Sequence, residues 1–393
     1  MCETGMVLSE LSYMIRHTKK FARKHRVMTP LAQFHASSYQ MPCPYGVVLV
    51  MSPWNYPFML TIDPLIDAIA AGNTVMVKPS AYSPYTSQII EEILTNVFPK
   101  EYVSVILGGR KENQALLEEK FDYIFFTGSP SVGHEVMSKA SVHLTPVTLE
   151  LGGKSPCIVD ETANIKLAAR RIVFGKYLNL GQTCVAPDYI YVHTSVKDKL
   201  IHEVIQEIKR QYQDLSSYGK IINEKHFDRI SKLLDPNKIV YGGKTNRETL
   251  KIEPTIMDHV SWDDAVMQEE IFGPIMPILT FTDFEDCINI IKEKPSPLAL
   301  YLFSSNKTRV DMVTHSVPYG GGCINDTIIH LATSNMPFGG VGNSGMGGYH
   351  GKEGFKTFTH YKSIVDKKTW LDLPIRYQPY SKLYDKLIHI FLR

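Results

Sequence analysis

The sequence predicts an α/β protein, with a doubly wound parallel sheet followed by a second α/β domain. Short, continuous apolar runs of strand length alternate with helical patterns from Gly46 onward, and the alternation resumes after Lys154. The chain is also long enough: 393 residues, 44% of them apolar, suffice for two well-buried cores.

The first thirty residues read as one helix. Leu8, Leu11, Ile15 and Phe21 fall near one stripe, with Arg16, Lys19, Lys20 and Arg23 on an opposite basic face. GVVLVM (46–51) is a buried strand that stops at Ser-Pro. TIDPLIDAIAAG (61–72) is a helix with a glycine at its end, the usual C-cap. NTVMVKPS is a strand, SQIIEEILTNVF a helix, YVSVILGG and DYIFFTG strands, PSVGHEVMSKAS a short helix and PVTLELGG a further strand. In the second region IVDETANIKLAARRIVFGKYLN reads as strand then helix, DYIYVHTSV as a strand and KDKLIHEVIQEIKRQYQ as an amphipathic helix. EIFGPIMPILTF, LALYLFSS and GGCINDTII supply three more strands.

Bulk properties exclude several function classes. Lys plus Arg number 42 against 40 Asp plus Glu, a formal charge of +2, so nothing marks a nucleic-acid surface. No basic segment leads into an apolar one at the N-terminus, and no apolar run approaches the roughly 18 residues of a membrane span. The six cysteines form no CxxC pair, which argues against a zinc site or a thioredoxin-type motif, and no metal is expected. They are too sparse for a disulfide scaffold. A cytoplasmic protein with reduced thiols follows.

The segments that could carry chemistry are each ambiguous alone. Cys184, in YLNLGQTC, reads as a buried core thiol unless its surroundings activate it. FTGSPSVG sets Gly128 and Gly133 at a strand-to-helix turn where backbone can approach a phosphate; the spacing is not GxGxxG, and His134 stands where a P-loop has lysine. Lys78 ends a strand and faces the crevice of a parallel sheet, or else the surface. Asn55, in SPWNYPF, reads as an oxyanion donor or a turn former. Glu150 ends an apolar strand before Gly-Gly, which makes it a candidate general base; the alternative is a structural ion pair. QEEIFGP carries Glu269, Glu270 and Phe272, and NMPFGGVGNSGMGGYHG is a glycine-dense loop around Phe338.

As an ordered set, PWNYP, VKPS, FTGS, LELGGKSP, GQTC, EIFGP and PFGGVGNSG resemble the aldehyde dehydrogenase superfamily over nearly the whole chain. GMVLSELSYMIRH and PFGGVGNSGMGGYHGKEGF look most like its class 3 branch, which includes fatty and aromatic aldehyde oxidisers. The resemblance implies NAD(P)-dependent oxidation of an aldehyde to the acid, through a thiohemiacetal and thioester on Cys184. It gives Asn55 and the Cys184 N–H the oxyanion, and Glu150 the hydrolytic water. It places Glu270 on the nicotinamide ribose, Phe272 near the ring, Lys78 and Ser80 at the adenine ribose, and Gly128, Ser129 and Gly133 by the pyrophosphate. Tyr56, Asn325 and Phe338 would line the aldehyde pocket. The implied domains are 1–152 for NAD(P), with a bridging segment near 27–44; 153–348 for catalysis; and 349–393 for bridging, oligomerisation and the tail.

Two departures stand out. Ala81 occupies the position where many members carry a ribose-clasping glutamate, so NADP is expected beside NAD. The family also has a further helical segment before the point matching Met1, so the chain reads as naturally short or cut from a longer frame. Two alternatives stay open: a CoA-acylating relative, against which Glu150 argues, and a non-catalytic shortened subunit. The tail, Ser381 to Arg393, puts Leu383, Leu387, Ile388 and Phe391 on one face. It is expected to pack on protein within a homodimer rather than on a membrane.

Overall fold

The computed structural model describes residues 2–215, 218–372, 374–379 and 381–391. Two sheets carry the architecture. The first runs, in spatial order, Gly345–Met346, Val147–Glu150, Tyr123–Thr127, Val47–Met51, Thr74–Lys78 and Val103–Val105. All pairs are parallel except the returning strand Gly345–Met346, which runs antiparallel to Val147–Glu150. Val48, Leu49 and Val50 are fully buried, as a strand covered on both faces requires. The strand order reverses at Val47–Met51, and such a switch point opens a crevice at the carboxyl ends.

The second sheet is ordered Ile239–Tyr241, Thr255–Met257, Ile275–Phe281, Tyr189–His193, Pro156–Val159, Ala299–Phe303 and Gly321–Ile324. It is parallel apart from its first strand. Its amino-terminal ends face the carboxyl ends of the first sheet across one cleft, because the loops that enter its strands and those that leave the first sheet line the same cavity.

Alternation gave the five parallel strands of the first sheet and five strands of the second, but not Gly345–Met346, Ile239–Tyr241 or Thr255–Met257, and not the third sheet. His25–Val27, Ala36–Pro44 and Thr359–Lys367 form an antiparallel three-stranded ribbon, with Tyr39 opposite Ile364 and Pro44 opposite Thr359. Asn73 ties the ribbon to the first sheet. Its amide donates to the carbonyls of Ala68 and Phe358 at 3.0 and 2.9 Å, and its carbonyl accepts from the Gly46 N–H at 3.0 Å.

The opening helix differs from expectation. It spans Thr4–Phe21, and His25–Val27 is a strand. Its buried stripe is Val7, Glu10, Met14 and Phe21, while Leu8 and Ile15 are 56% and 72% exposed. The expected stripe was one residue out of phase because Glu10 lies on the buried face, where it accepts from the Gly351 N–H at 2.7 Å. A helix Lys382–Phe391 ends the described chain, with Leu383 and Ile390 exposed. Leu392, Arg393 and the Phe391 side chain lie outside the described residues. Among the described residues no helix is long and apolar enough to cross a membrane.

Candidate active site

The cleft between the two sheets has a volume of about 740 Å³. Asn55, Gly128, Ser129, Glu150, Cys184, Glu270 and Phe272 all line it. Four elements bring them there: the loop after Val47–Met51, the turn after Tyr123–Thr127, the end of Val147–Glu150, and the loops entering the second sheet.

Cys184 is positioned by a sharp turn. The helix Ile165–Tyr177 is followed, past Leu178, by three consecutive left-handed residues, Asn179, Leu180 and Gly181, with φ of 49°, 56° and 71°. A Cβ on Gly181 would lie 2.4 Å from the Gly273 carbonyl oxygen, so only glycine fits the last of them. The buried Gln182 side chain then pins the turn. Its amide donates to the Lys220 carbonyl at 3.2 Å, and its oxygen accepts from the Ile222 N–H at 3.0 Å. The Asn55 amide donates to the Gln182 carbonyl at 3.0 Å, which holds Asn55 beside the thiol. Tyr56 shares a 2.8 Å hydrogen bond with Thr183, and burial raises its phenol.

The charges here are unusual. Glu150 is 2% exposed, and neither carboxylate oxygen has a hydrogen-bond partner. Burial pushes its pKa well above the ordinary carboxylate range. Glu270 is raised to about 8 by burial and then by the Asp188 carboxylate. Burial, followed by the Glu270 and Glu150 carboxylates, raises the Cys184 thiol to about 12, while the backbone N–H groups of Cys184 and Val185 oppose the rise. At rest the thiol is protonated, and either neighbouring carboxyl, once ionised, is able to take that proton.

Residues 2–364 match the Aldehyde dehydrogenase family. The chain belongs to that family. It is an oxidoreductase that acts on aldehydes. It is 48% identical over its whole length to a 4,4'-diaponeurosporen-aldehyde dehydrogenase of Staphylococcus aureus, covering 86% of that protein. It is 43% identical to aldehyde dehydrogenase family 3 member A2 of Rattus norvegicus, with 93% of this chain and 76% of the relative aligned. A dimeric, NADP-preferring aldehyde dehydrogenase of Mus musculus is also 43% identical, with 92% and 81% aligned. A solved structure of the substrate-bound state of Staphylococcus aureus AldH superimposes with a TM-score of 0.97 at 48% identity, over all of this chain and 86% of that one. Aldehyde dehydrogenase homologues use NAD or NADP, and both are named among the relatives.

On the cofactor side of this aldehyde dehydrogenase, Ser129 precedes the 13-residue helix Pro130–Val142, whose N-terminus opens into the cleft beside Gly128. The nearby Thr127 hydroxyl is buried without a partner. Free N–H groups and an unsatisfied hydroxyl are what a pyrophosphate needs, so the residues present fit a dinucleotide. Gly133 lies inside that helix and packs on Leu151, where a Cβ would come within 2.7 Å of Leu151 Cδ2. It does not line the cleft. Lys78 is buried at its strand end and donates to the carbonyls of Pro79 and Gly108 at 2.9 and 2.7 Å; burial lowers its pKa. Ser80 accepts from the Tyr82 N–H and lies with Lys78 outside the cleft lining.

The three expected pocket residues are not brought to the cleft lining. Tyr56 is bonded to Thr183, as above, and neither lines the cleft. Phe338 is buried, bridges to Tyr349 and stacks on His350 with ring centroids 5.8 Å apart. Asn325 lines a different cavity, with Thr162, Asn164, Ser304 and Ser305. Its amide donates to the Ser304 carbonyl at 2.8 Å and its oxygen accepts from the Ser304 N–H at 2.9 Å. An asparagine just past a strand joins whichever cavity adjoins that end of the sheet, and here it is the second one.

Sequence reasoning missed the clamp on Glu270. Lys154 pairs with Asp188 and donates to the carbonyls of Val266 and Glu269 at 3.0 and 2.9 Å. Arg229 donates to the Glu270 and Ile271 carbonyls at 3.1 and 2.7 Å. Gly152 receives the carboxylate, since a Cβ there would lie 2.2 Å from Glu270 Oε2. Lys154 stood in the quoted LELGGKSP, but its partners are Asp188 and the backbone carbonyls of a distant loop, and their convergence leaves no sequence signal.

Proposed function

We propose that the chain oxidises an aldehyde to its carboxylic acid with NAD or NADP, through a thioester on Cys184. The observation that carries this is a thiol and an unpaired buried carboxylate, Glu150, facing one cleft. After losing its proton to a neighbouring carboxylate, the Cys184 sulfur bonds to the aldehyde carbon, and the carbonyl π pair moves onto oxygen. That oxyanion is held by the Asn55 N–H not committed to Gln182 and by the Cys184 backbone N–H. NAD or NADP, when bound, accepts the hydride that leaves this carbon. Glu150 then takes a proton from water, the water oxygen attacks the thioester carbon, and the C–S bond breaks to release the acid. A raised pKa suits Glu150 to this, because it is a strong base once ionised.

Gly128 and Ser129 would hold the pyrophosphate, Glu270 and Phe272 the nicotinamide end, and Lys78 and Ser80 the adenosine ribose. The clamp by Lys154 and Arg229 fixes Glu270 for this role. A CoA-acylating enzyme needs no buried base at Glu150, and a non-catalytic subunit needs none of the convergence. The cleft wall holds Trp54, Tyr189, Trp262, Met267 and Phe272, and a relative acts by name on 4,4'-diaponeurosporen-aldehyde. Both support a large apolar aldehyde. Our reading divides the chain at 1–152, 153–348 and 349–393, and makes it a cytoplasmic homodimer. Six unpaired cysteines and the dimeric murine relative support this.

The test is Cys184→Ser, with an aldehyde panel from short aliphatic to long-chain and aromatic, followed by formation of reduced cofactor. Wild type turns over, favouring the long apolar members. The variant loses oxidation while cofactor binding persists. A variant that keeps most of its turnover sinks the assignment.

A further inference from the structure

Selection between NAD and NADP is decided at the adenosine ribose, so the inference rests on the dinucleotide reading above. In open parallel sheets the carboxylate that accepts the ribose 2′-hydroxyl of NAD sits near the end of the second strand. Here that strand is Thr74–Lys78, and the residues after it, Pro79, Ser80 and Ala81, carry no acid. The neighbouring strand Val103–Val105 pairs directly with it and ends in a turn through Gly108 and Gly109. Lys78 Nζ donates to the Gly108 carbonyl at 2.7 Å, so the lysine and this turn meet at the carboxyl ends of the two strands.

Glu112, on the helix Arg110–Glu118, folds back onto that turn. Its Oε2 accepts from the Gly109 N–H at 2.6 Å. Its Cγ would lie 2.5 Å from a Cβ on Gly108, which has φ +131°. On the other flank, a Cβ on Gly109 would lie 4.0 Å from the Ala81 Cβ. Ala81 and Glu112 therefore both border Gly109. Backbone N–H groups at 112 and 109, then Lys111 and Lys78, hold the Glu112 carboxyl below its ordinary range. It is ionised at neutral pH.

We propose that Glu112 supplies the carboxylate missing at Ala81: it accepts the ribose 2′-hydroxyl of NAD and repels the 2′-phosphate of NADP. The enzyme then favours NAD, against the expectation drawn from Ala81 alone. The cations nearby are Lys78 and the exposed Arg110 and Lys111. With the carboxylate neutralised, they leave a site that welcomes a phosphate.

The test is Glu112→Gln, because glutamine keeps an oxygen for the Gly109 N–H and removes only the charge. Calorimetry with 5′-AMP and 2′,5′-ADP gives a binding ratio independent of turnover, and kcat/KM with NAD and NADP gives a second. Both ratios are expected to move toward the 2′-phosphate by about tenfold or more. Adding Ala81→Glu to the variant is expected to restore the preference for NAD. A ratio is read in each case, so partial unfolding of a variant cancels. If wild type binds both nucleotides in competition with NAD, yet Glu112→Gln shifts the ratios less than about twofold, Glu112 is only a helix cap and the proposal fails alone. If wild type binds neither nucleotide nor NAD, the dinucleotide reading fails with it.

Discussion

The two cavities make an instructive pair. The second, of about 490 Å³, lies at the carboxyl ends of the second sheet, at that sheet's own reversal of strand order. The general rule for parallel sheets places ligands there. Its polar groups are nevertheless spent on one another. Ser304 Oγ donates to Asp160 at 2.6 Å, Thr162 Oγ1 donates to Asp160 at 2.7 Å, and Asn325 closes two bonds with Ser304. Arg309 donates to both Asp160 and Glu161. The first cavity lies at the amino ends of the same sheet and keeps Glu150 and Thr127 unsatisfied. Burying an unpaired polar group costs about 1–3 kcal/mol. A fold retains that cost where the group has work to do, so satisfaction of hydrogen bonds distinguishes the cavities better than topology does.

Three substitutions sharpen the comparison. The largest effect falls in the first cavity. Asn55→Ala removes an oxyanion donor and is expected to lower kcat by about 10²–10³-fold with little change in melting temperature. Loss of folding with intact kcat per folded molecule would make Asn55 a prop for the Cys184 turn instead. In the second cavity, Asn325→Ala should cost stability, about 1–3 kcal/mol by urea unfolding, and leave kcat and KM within twofold. A shifted KM at unchanged stability would return Asn325 to the aldehyde pocket. The smallest effect is a slope. Folded Glu270, raised to about 8, keeps a proton that the unfolded chain loses near pH 4.3, so stability falls as pH rises between those values. Glu270→Gln removes this, and its melting temperature should drop less than wild type's from pH 5 to pH 8. Parallel slopes would mean that Glu270 titrates normally.

The central strands of both main sheets were legible in the sequence, because strands buried on both faces are continuous apolar runs; the short strands Ile239–Tyr241, Thr255–Met257 and Gly345–Met346 were not. Asn55, Glu150 and Cys184 were each ambiguous alone and were singled out only by the ordered set of motifs and the resemblance it carries. The opening helix was misphased by a buried polar residue, Glu10, which periodicity counts as solvent-facing. Asn325 was expected in the aldehyde pocket from the resemblance alone, and the structure sets it in the second cavity; nothing local says which end of a sheet a loop serves. Lys154 and Arg229 were missed because their partners, main-chain carbonyls with Asp188 and Glu269, are distant in sequence and converge only in the fold.

The central claim is that Glu150 is kept unpaired to hydrolyse a thioester on Cys184. The most direct measurement mixes Glu150→Gln with aldehyde and NAD, quenches in acid and reads intact and peptide masses. The expected result is a burst of reduced cofactor, then steady turnover reduced by about 10²-fold or more, with the acyl group accumulating on the Cys184 peptide. Absence of the burst, or an acyl group on any other residue, would contradict it.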